Sequence, residues 1–420
     1  MTSPEPYLTT PYSRYHRREV PSEDAELTHV GPGTPCGEYL RRFWQPVALL
    51  HELNDLPLRV RVMGEDLVLF RDASGAVGLL DLHCSHRGAS LEFGQICEAG
   101  LRCPYHGWLY GVDGKVIETP GEPKESTFKD KLYHGAYPVH VYKGLVFAYM
   151  GPPDRKPAFP VYDTYEMEGY REWVGLRHML PANWLQIKEN CMDPAHLLFL
   201  HTIAGNPPDN FPPELNVTPE LDYAVTPVGM AYIDSRRVND MVWVRMADFI
   251  CPNIHQFGGS AMDFSKEARF VRPIMTQWSV PVDDTHTMNF RMRHWRAADP
   301  GMPQLMAFGQ DETRPYAERQ RVPGDYDVQT SQRPIAVHAL ENLASTDRGV
   351  VMMRRMLREG IAAVRDGRDP KGVNPPSPAP TRTYCNMSVV RVPPANDPDA
   401  DRRLVRQTGR RVAEELFAAG

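Results

Sequence analysis

Between Pro46 and Pro153 the apolar and polar positions alternate over short runs that end in turn residues, the period of half-buried strands. LRVRVMGEDLVLFRD predicts a hairpin turning near Gly64, Glu65 and Asp66, and AVGLLDL predicts the strand after it. WLYGVDGKVIETP predicts a second hairpin, turned at Asp113-Gly114, and KGLVFAYMGPP a returning strand. Residues 46–153 are thus expected to form a small all-β domain. Ahead of it, residues 1–27 are polar and irregular, and the spacing of Tyr39, Leu40, Phe43 and Trp44 predicts one short helix with a single buried face. Residues 1–45 are expected to be an arm and short helix packing not on that domain but on the unit at 154–420.

Residues 154–420 carry a mixed pattern. A helical stretch is expected at 181–203. Strands are expected in GMAYIDSRRV, VWVRMADFICPNIHQF, ARFVRPIM and THTMNFRMRHW. Helical periodicity returns at 334–364, where the Met-rich VVMMRRM reads as core packing. A Pro-rich link, NPPSPAPTR, precedes the strand TYCNMSVVRV, and the chain closes on an amphipathic helix with Asp at its start. Strands in the middle with helices at both ends predict an α+β unit, an antiparallel sheet covered by helices.

Composition narrows the function classes. A net charge of −6 leaves no basic footprint for nucleic acid. No run approaches the length of a membrane-spanning helix, and the N-terminus lacks the apolar core of a signal peptide. A cytoplasmic protein is expected. Seven cysteines, an odd number scattered along the chain, do not suggest a disulfide framework.

Four residues stand out at 84–106. Cys84 and His86 form a C-x-H pair, and Cys103 and His106 form a C-x2-H pair after sixteen intervening residues. Two thiolates and two imidazoles on paired loops suit a Rieske 2Fe–2S cluster, with thiolates on one iron and histidines on the other. By spacing alone they also suit a Cys2His2 zinc site. A second constellation lies in ENCMDPAHLLFLH. His196 and His201 are five residues apart, which in a regular α-helix turns them about 140° from each other. They converge on one ion only where the helix is widened, as in a π-bulge, or ends nearby. Otherwise they are ordinary histidines on a half-buried helix.

The flanks carry a resemblance. C-x-H-x-G followed by C-P-x-H-G-W, with Gly88, Gly107, Pro104 and Trp108, is similar to the Rieske motif. N-x2-D-x2-H-x4-H, supplied by Asn190, Asp193, His196 and His201, resembles the iron motif of Rieske non-haem iron oxygenases. HVGPGTPCGEYLRRFWQPVAL, NWLQIKEN and DYDVQTSQRPI … ENLASTD resemble the large, alpha subunits of the phthalate dioxygenase type. The resemblance implies a helix-grip catalytic domain at 154–420 and a Rieske domain at 46–153. It implies a 2Fe–2S cluster on Cys84, His86, Cys103 and His106, and a mononuclear Fe(II) on His196, His201 and a carboxylate. For the carboxylate it points to Asp347 in ENLASTDRGVV, with Glu341 as the alternative. Asp193 is expected to accept a hydrogen bond from His196 and to bridge to His106 of a neighbouring subunit. That implies a head-to-tail trimer, or two stacked as a hexamer; Asp193 and Asn190 are the expected catalytic residues beside the iron ligands. Electrons are expected from NAD(P)H through a flavin and iron–sulfur reductase.

The implied reaction is O2-dependent hydroxylation of an aromatic substrate: dihydroxylation of an aromatic carboxylate or, alternatively, monooxygenation or O-demethylation of an aryl ether or another apolar molecule. Arg237 and Arg245 lie on consecutive expected strands, and arginine binds a planar carboxylate through two hydrogen bonds. Either is a candidate substrate residue, or a solvated strand-face arginine. Phe249, Asn253, His255 and Phe257 are further pocket candidates.

Overall fold

The alternating run at 58–71 folds as a hairpin. Leu58–Val62 pairs with Glu65–Arg71, and Met63 and Gly64 make the turn at positive φ. This computed structural model describes residues 10–16, 19–203, 213–258, 263–298, 313–374 and 380–419. Much of the expected N-terminal arm and most of the Pro-rich link lie outside them.

Val77–Asp81 and Ala136–Tyr137 extend the hairpin into a four-stranded sheet. Gln95–Cys97, Gly100–Arg102, Leu109–Tyr110 and Val116–Glu118 form a second, and Trp44–Leu49, Leu145–Tyr149 and Val139–Tyr142 a third of three strands. This lobe joins the rest through backbone hydrogen bonds from Met63 N to Pro281 O (2.8 Å) and Gly64 N to Val282 O (2.9 Å). The segment before it is also tied down. Asn183 Nδ2 donates to Thr28 O (2.8 Å), Trp184 Nε1 to Leu27 O (3.2 Å), and Val30 N to Asp284 Oδ1 (2.8 Å).

The second lobe is built on a nine-stranded antiparallel sheet. Its main path runs Tyr170–Leu180, His286–Arg296, Met275–Asp283, Ile254–Phe257, Met241–Ile250, Gly229–Val238 and Glu220–Thr226, with Asn386–Arg391 and Ala268–Val271 paired off the path. The strands at 170 and 220 and the helix Asp325–Ser331 were not expected from the pattern. The helix expected over 334–364 begins only at Arg348 and runs to Arg365, after single turns at His338–Leu340 and Ser345–Asp347. The upstream stretch is drawn out because Glu341 is held against the helix by Arg354, at 2.6 and 2.9 Å.

Strand register divides the sheet into two faces, since directly paired residues share a side. Ala231, Ile233, Val242, Val244 and Met246 pack against Val405, Val412, Ala413 and Leu416 of the C-terminal helix Pro398–Ala418. That helix lies close: a Cβ on Gly409 would fall 1.9 Å from Ser235 Oγ. Met230, Tyr232, Ala247 and Phe249 face the other way and share a core with Trp184 and Leu185 of the helix Trp184–Cys191. On that side Arg236, buried and paired with Asp234 at 3.0 Å, donates to Pro194 O (3.2 Å) and Leu215 O (2.9 Å). It fastens the sheet to the segment that bears the two site histidines.

Candidate metal centres

The loops at 84–89 and 103–108 are near copies in backbone geometry. Gly88 N donates to Cys84 O (2.8 Å) and Cys84 N to Ala89 O (2.9 Å); Gly107 N donates to Cys103 O (3.1 Å) and Cys103 N to Trp108 O (2.8 Å). Gly88 and Gly107 sit at φ 75° and 76°, a conformation that side-chain-bearing residues seldom adopt, which explains a glycine after each histidine. Cys84 and Cys103 are buried and their side chains meet; burial, and then the neighbouring Cys84, push the Cys103 thiol up. His86 and His106 are exposed, with ring centroids 4.5 Å apart. Trp108 stacks on His86 at 4.6 Å with planes 7° apart and fixes its ring. Tyr110 Oη lies 2.9 Å from Cys84 Sγ and 3.1 Å from Ser85 Oγ. Two thiols inside, two imidazoles at the rim and a hydroxyl on one sulfur suit a cluster whose histidine edge faces outward.

The second centre follows from how one helix ends. Asn183 caps Trp184–Cys191, its Oδ1 accepting from Leu185 N at 3.1 Å. The helix stops at Met192, and Asp193 restarts the chain, its Oδ1 accepting from Ala195 N at 3.0 Å. One turn, His196–Leu198, leads into a π-helical turn, Phe199–Ile203. The widening supplies the rotation a regular helix denies, and the rings of His196 and His201 come to 5.4 Å between centroids.

The carboxylate beside them is that of Asp325. Its Oδ1 is 3.4 Å from His201 Nε2 and 3.8 Å from His196 Nε2, and one ligand atom from each of the three residues lies within 4.8 Å of the others. Burial would raise the Asp325 carboxyl, but His201, His196 and the Asn190 amide reverse this and hold it well below the usual carboxylate range. Asn190 Nδ2 donates to Asp325 Oδ1 at 3.3 Å, so Asn190 positions that carboxylate. Asp193 lies on the other side of His196, Oδ2 3.8 Å from Nδ1, while its carbonyl contacts the same nitrogen. Burial raises Asp193 against the pull of His196, and burial lowers His196.

Asp347 does not join this set. It takes the N-cap position of Arg348–Arg365, and its Oδ2 accepts from Ala344 N at 2.6 Å, serving the local backbone. Glu341 is paired with Arg354. The clue to Asp325 was present in GDYDVQTSQ, a glycine–aspartate helix start, but the same stretch offers Asp327 equally well. Only the fold shows that Asp327 turns to Arg319 (2.5 Å) and Gly324 N (3.0 Å).

Register also separates the two arginines. Arg237 lies on the face of the C-terminal helix, paired with Asp401 at 2.6 Å, and cannot reach the histidines through the sheet. Arg245, opposite Asp234, lies on the histidine face, buried, with Nη2 3.4 Å from Gly258 O. Phe249, His255 and Phe257 share that face. Asn253 is a brace, donating to Gln45 Oε1 (2.8 Å) and Ser279 O (2.9 Å).

Comparison with known proteins agrees with this architecture. The family model of the Rieske [2Fe-2S] domain matches residues 43–140. The tert-butanol monooxygenase / tert-amyl alcohol desaturase oxygenase subunit of Aquincola tertiaricarbonis is 38% identical over 97% of this chain and 91% of its own length. The phenoxybenzoate dioxygenase subunit alpha of Ectopseudomonas oleovorans is 39% identical over 84% and 88%, and the phthalate 4,5-dioxygenase oxygenase subunit of Pseudomonas putida 32% over 84% and 88%. Among solved structures, NdmA of Pseudomonas putida CBB5 with caffeine superposes at a TM-score of 0.65, covering 83% of this chain and 100% of that one at 22% identity, a likeness of fold. Two ligand-bearing loops in a β lobe, a histidine pair on a π-turn over an antiparallel sheet, and relatives matched along most of their length lead to one assignment: the chain belongs to the Rieske non-haem iron oxygenases, as an oxygenase (alpha) subunit of the phthalate dioxygenase type.

Proposed function

We propose that Cys84, His86, Cys103 and His106 hold the Rieske cluster, that His196, His201 and Asp325 hold the mononuclear iron, and that the enzyme hydroxylates an aromatic carboxylate. The observation that carries this reading is the convergence of His196, His201 and Asp325 on one face, two imidazoles and a carboxylate, the donor set of an oxygen-activating non-haem iron with open positions. When bound, the cluster supplies single electrons and the iron activates O2.

The protein's own groups prepare this. Asp193 lies at the Nδ1 side of His196, where it holds the ring proton and leaves the Nε2 lone pair for a metal. Asn190 orients Asp325 in the same way. The electrons are expected from a flavin and iron–sulfur reductase using NAD(P)H. The exposed edge of His86 and His106, with Tyr105 exposed beside it, favours delivery to a neighbour's Asp193 in a head-to-tail ring, a trimer or a stacked hexamer. No helix of the described residues is long and apolar enough to cross a membrane. All seven cysteines are free, which supports a reducing, cytoplasmic setting.

The test is iron content with spectroscopy. The wild type is expected to hold about three irons per chain, two in the cluster and one mononuclear. Asp325→Ala should keep the cluster spectrum, lose one iron and form no product, whereas Asp347→Ala should keep all three. Full iron in Asp325→Ala would overturn the assignment. A second reading, monooxygenation, is favoured by the 38% identity with a tert-butanol monooxygenase subunit over 97% of the chain. Labelled O2 separates the two, since a dioxygenase leaves both labelled atoms in its product.

A further inference from the structure

Lys188 lies in the helix Trp184–Cys191, fully buried (0% exposed), and its Nζ meets no hydrogen-bond partner among the described residues. Its neighbour Glu189 turns away, to Arg354 at 2.6 Å and His338 at 3.5 Å. A buried ammonium left without an acceptor is costly, and structural lysines in protein interiors are normally paired. Burial and Arg291, opposed by Cys191, lower its basicity to about 8, so it stays mostly charged at neutral pH.

His255, Gln277 and Arg291 form one row across three strands, His255 opposite Gln277 and Gln277 opposite Arg291, with Arg291 Nε 2.6 Å from Gln277 Oε1. His255 is buried with Nδ1 unpartnered, and burial, Lys188 and Arg245 hold it neutral. This cluster shares the sheet face of the metal centre: His255 lies opposite Phe249, on the side from which Arg236 reaches Pro194 O at 3.2 Å. Met230 in turn lies opposite Phe249, so apolar side chains flank the row. A buried ammonium with the guanidinium groups of Arg291 and Arg245 nearby, a neutral imidazole and an apolar surround suit the carboxylate of a mainly apolar molecule.

We propose that Lys188 is a specificity-determining residue whose ammonium receives the carboxylate of an aromatic acid, with His255 Nδ1 as a second hydrogen-bonding group. The proposal rests on the reading of His196, His201 and Asp325 as the iron site. Its test uses the iron-loaded holoenzyme and two probes, benzoate and its neutral isostere benzamide, with binding followed by calorimetry so that turnover is not required. The wild type is expected to prefer benzoate. Lys188→Met and Lys188→Gln should each weaken benzoate roughly 100-fold and leave benzamide unchanged, the scale for removing one partner of a buried charged pair. Removing an unpaired ammonium should leave Tm level or raise it, whereas a purely structural lysine would lower it. Equal binding of the two probes by the wild type, or unchanged benzoate binding in either variant, overturns the proposal; the first arm decides even if neither variant folds. Iron retained in Asp325→Ala defeats the site reading instead, so the two failures are told apart.

Discussion

Tyr110 places a hydroxyl 2.9 Å from Cys84 Sγ. Burial, and then that sulfur, keep the phenol protonated. A hydrogen bond to a ligand sulfur stabilises the more negative, reduced cluster and raises its potential. Tyr110→Phe is therefore expected to lower the cluster potential by ~40 mV, the equivalent of about 1 kcal/mol, in a redox titration followed by EPR. An unchanged potential would remove the tuning role. Single residues were also where sequence reading was sharpest and where it failed. The Cys and His spacing pointed to the paired loops at 84–89 and 103–108 and to the turn bearing His196 and His201, because spacing is a local property. Asp347 and Asp325 both begin helices in polar stretches, and which one meets His196 depends on tertiary approach, through Asn190, which spacing does not encode.

At the scale of elements, the five-residue gap between His196 and His201 allowed convergence only on a widened or ending helix, and the chain forms a π-helical turn at Phe199–Ile203. Some strand boundaries were similarly legible; Gly229–Val238 spans the same residues as the run GMAYIDSRRV. Which face a strand residue took was not legible, because parity within a strand is meaningful only once its partner is known. Arg237 shows the consequence. Joined to Asp401 at 2.6 Å, with both side chains largely shielded, it fastens the C-terminal helix to the sheet. Arg237→Ala is expected to cost about 2 kcal/mol of stability, read as a lower Tm, with KM unchanged. A raised KM at constant Tm would return it to the substrate pocket.

Across the whole molecule, pH acts through buried groups of opposite sign. His294, 3% exposed and 3.0 Å from Thr276 Oγ1, is lowered from 6.5 to about 4 by burial and then Arg272. Between those values the unfolded chain binds the extra proton, so this contribution is present above pH 6.5 and is lost as pH falls toward 4. Asp248 is raised from 3.8 to about 7, chiefly by burial. Its folded form binds the extra proton in that range, and stability falls as pH rises through it. Comparing Tm at pH 5 and pH 7.5, His294→Gln should remove about 2 kcal/mol of acid sensitivity, whereas Asp248→Asn should leave the protein more acid-sensitive than the wild type. Assembly is testable at the same scale. Co-expressed Cys84→Ala and His196→Ala chains, each inactive alone, should recover partial turnover if each cluster serves a neighbour's iron, and none if electrons stay within one chain.

The two faces of the central sheet have a practical consequence for engineering. Along Gly229–Val238 and Met241–Ile250, consecutive residues report alternately to the metal side and to the C-terminal helix. Substrate range and thermal tolerance are therefore written on interleaved positions and can be edited separately. Variation confined to Tyr232, Arg245, Phe249 and His255 is expected to alter what the enzyme accepts, and changes at Ile233, Arg237, Val244 and Met246 how much heat it survives.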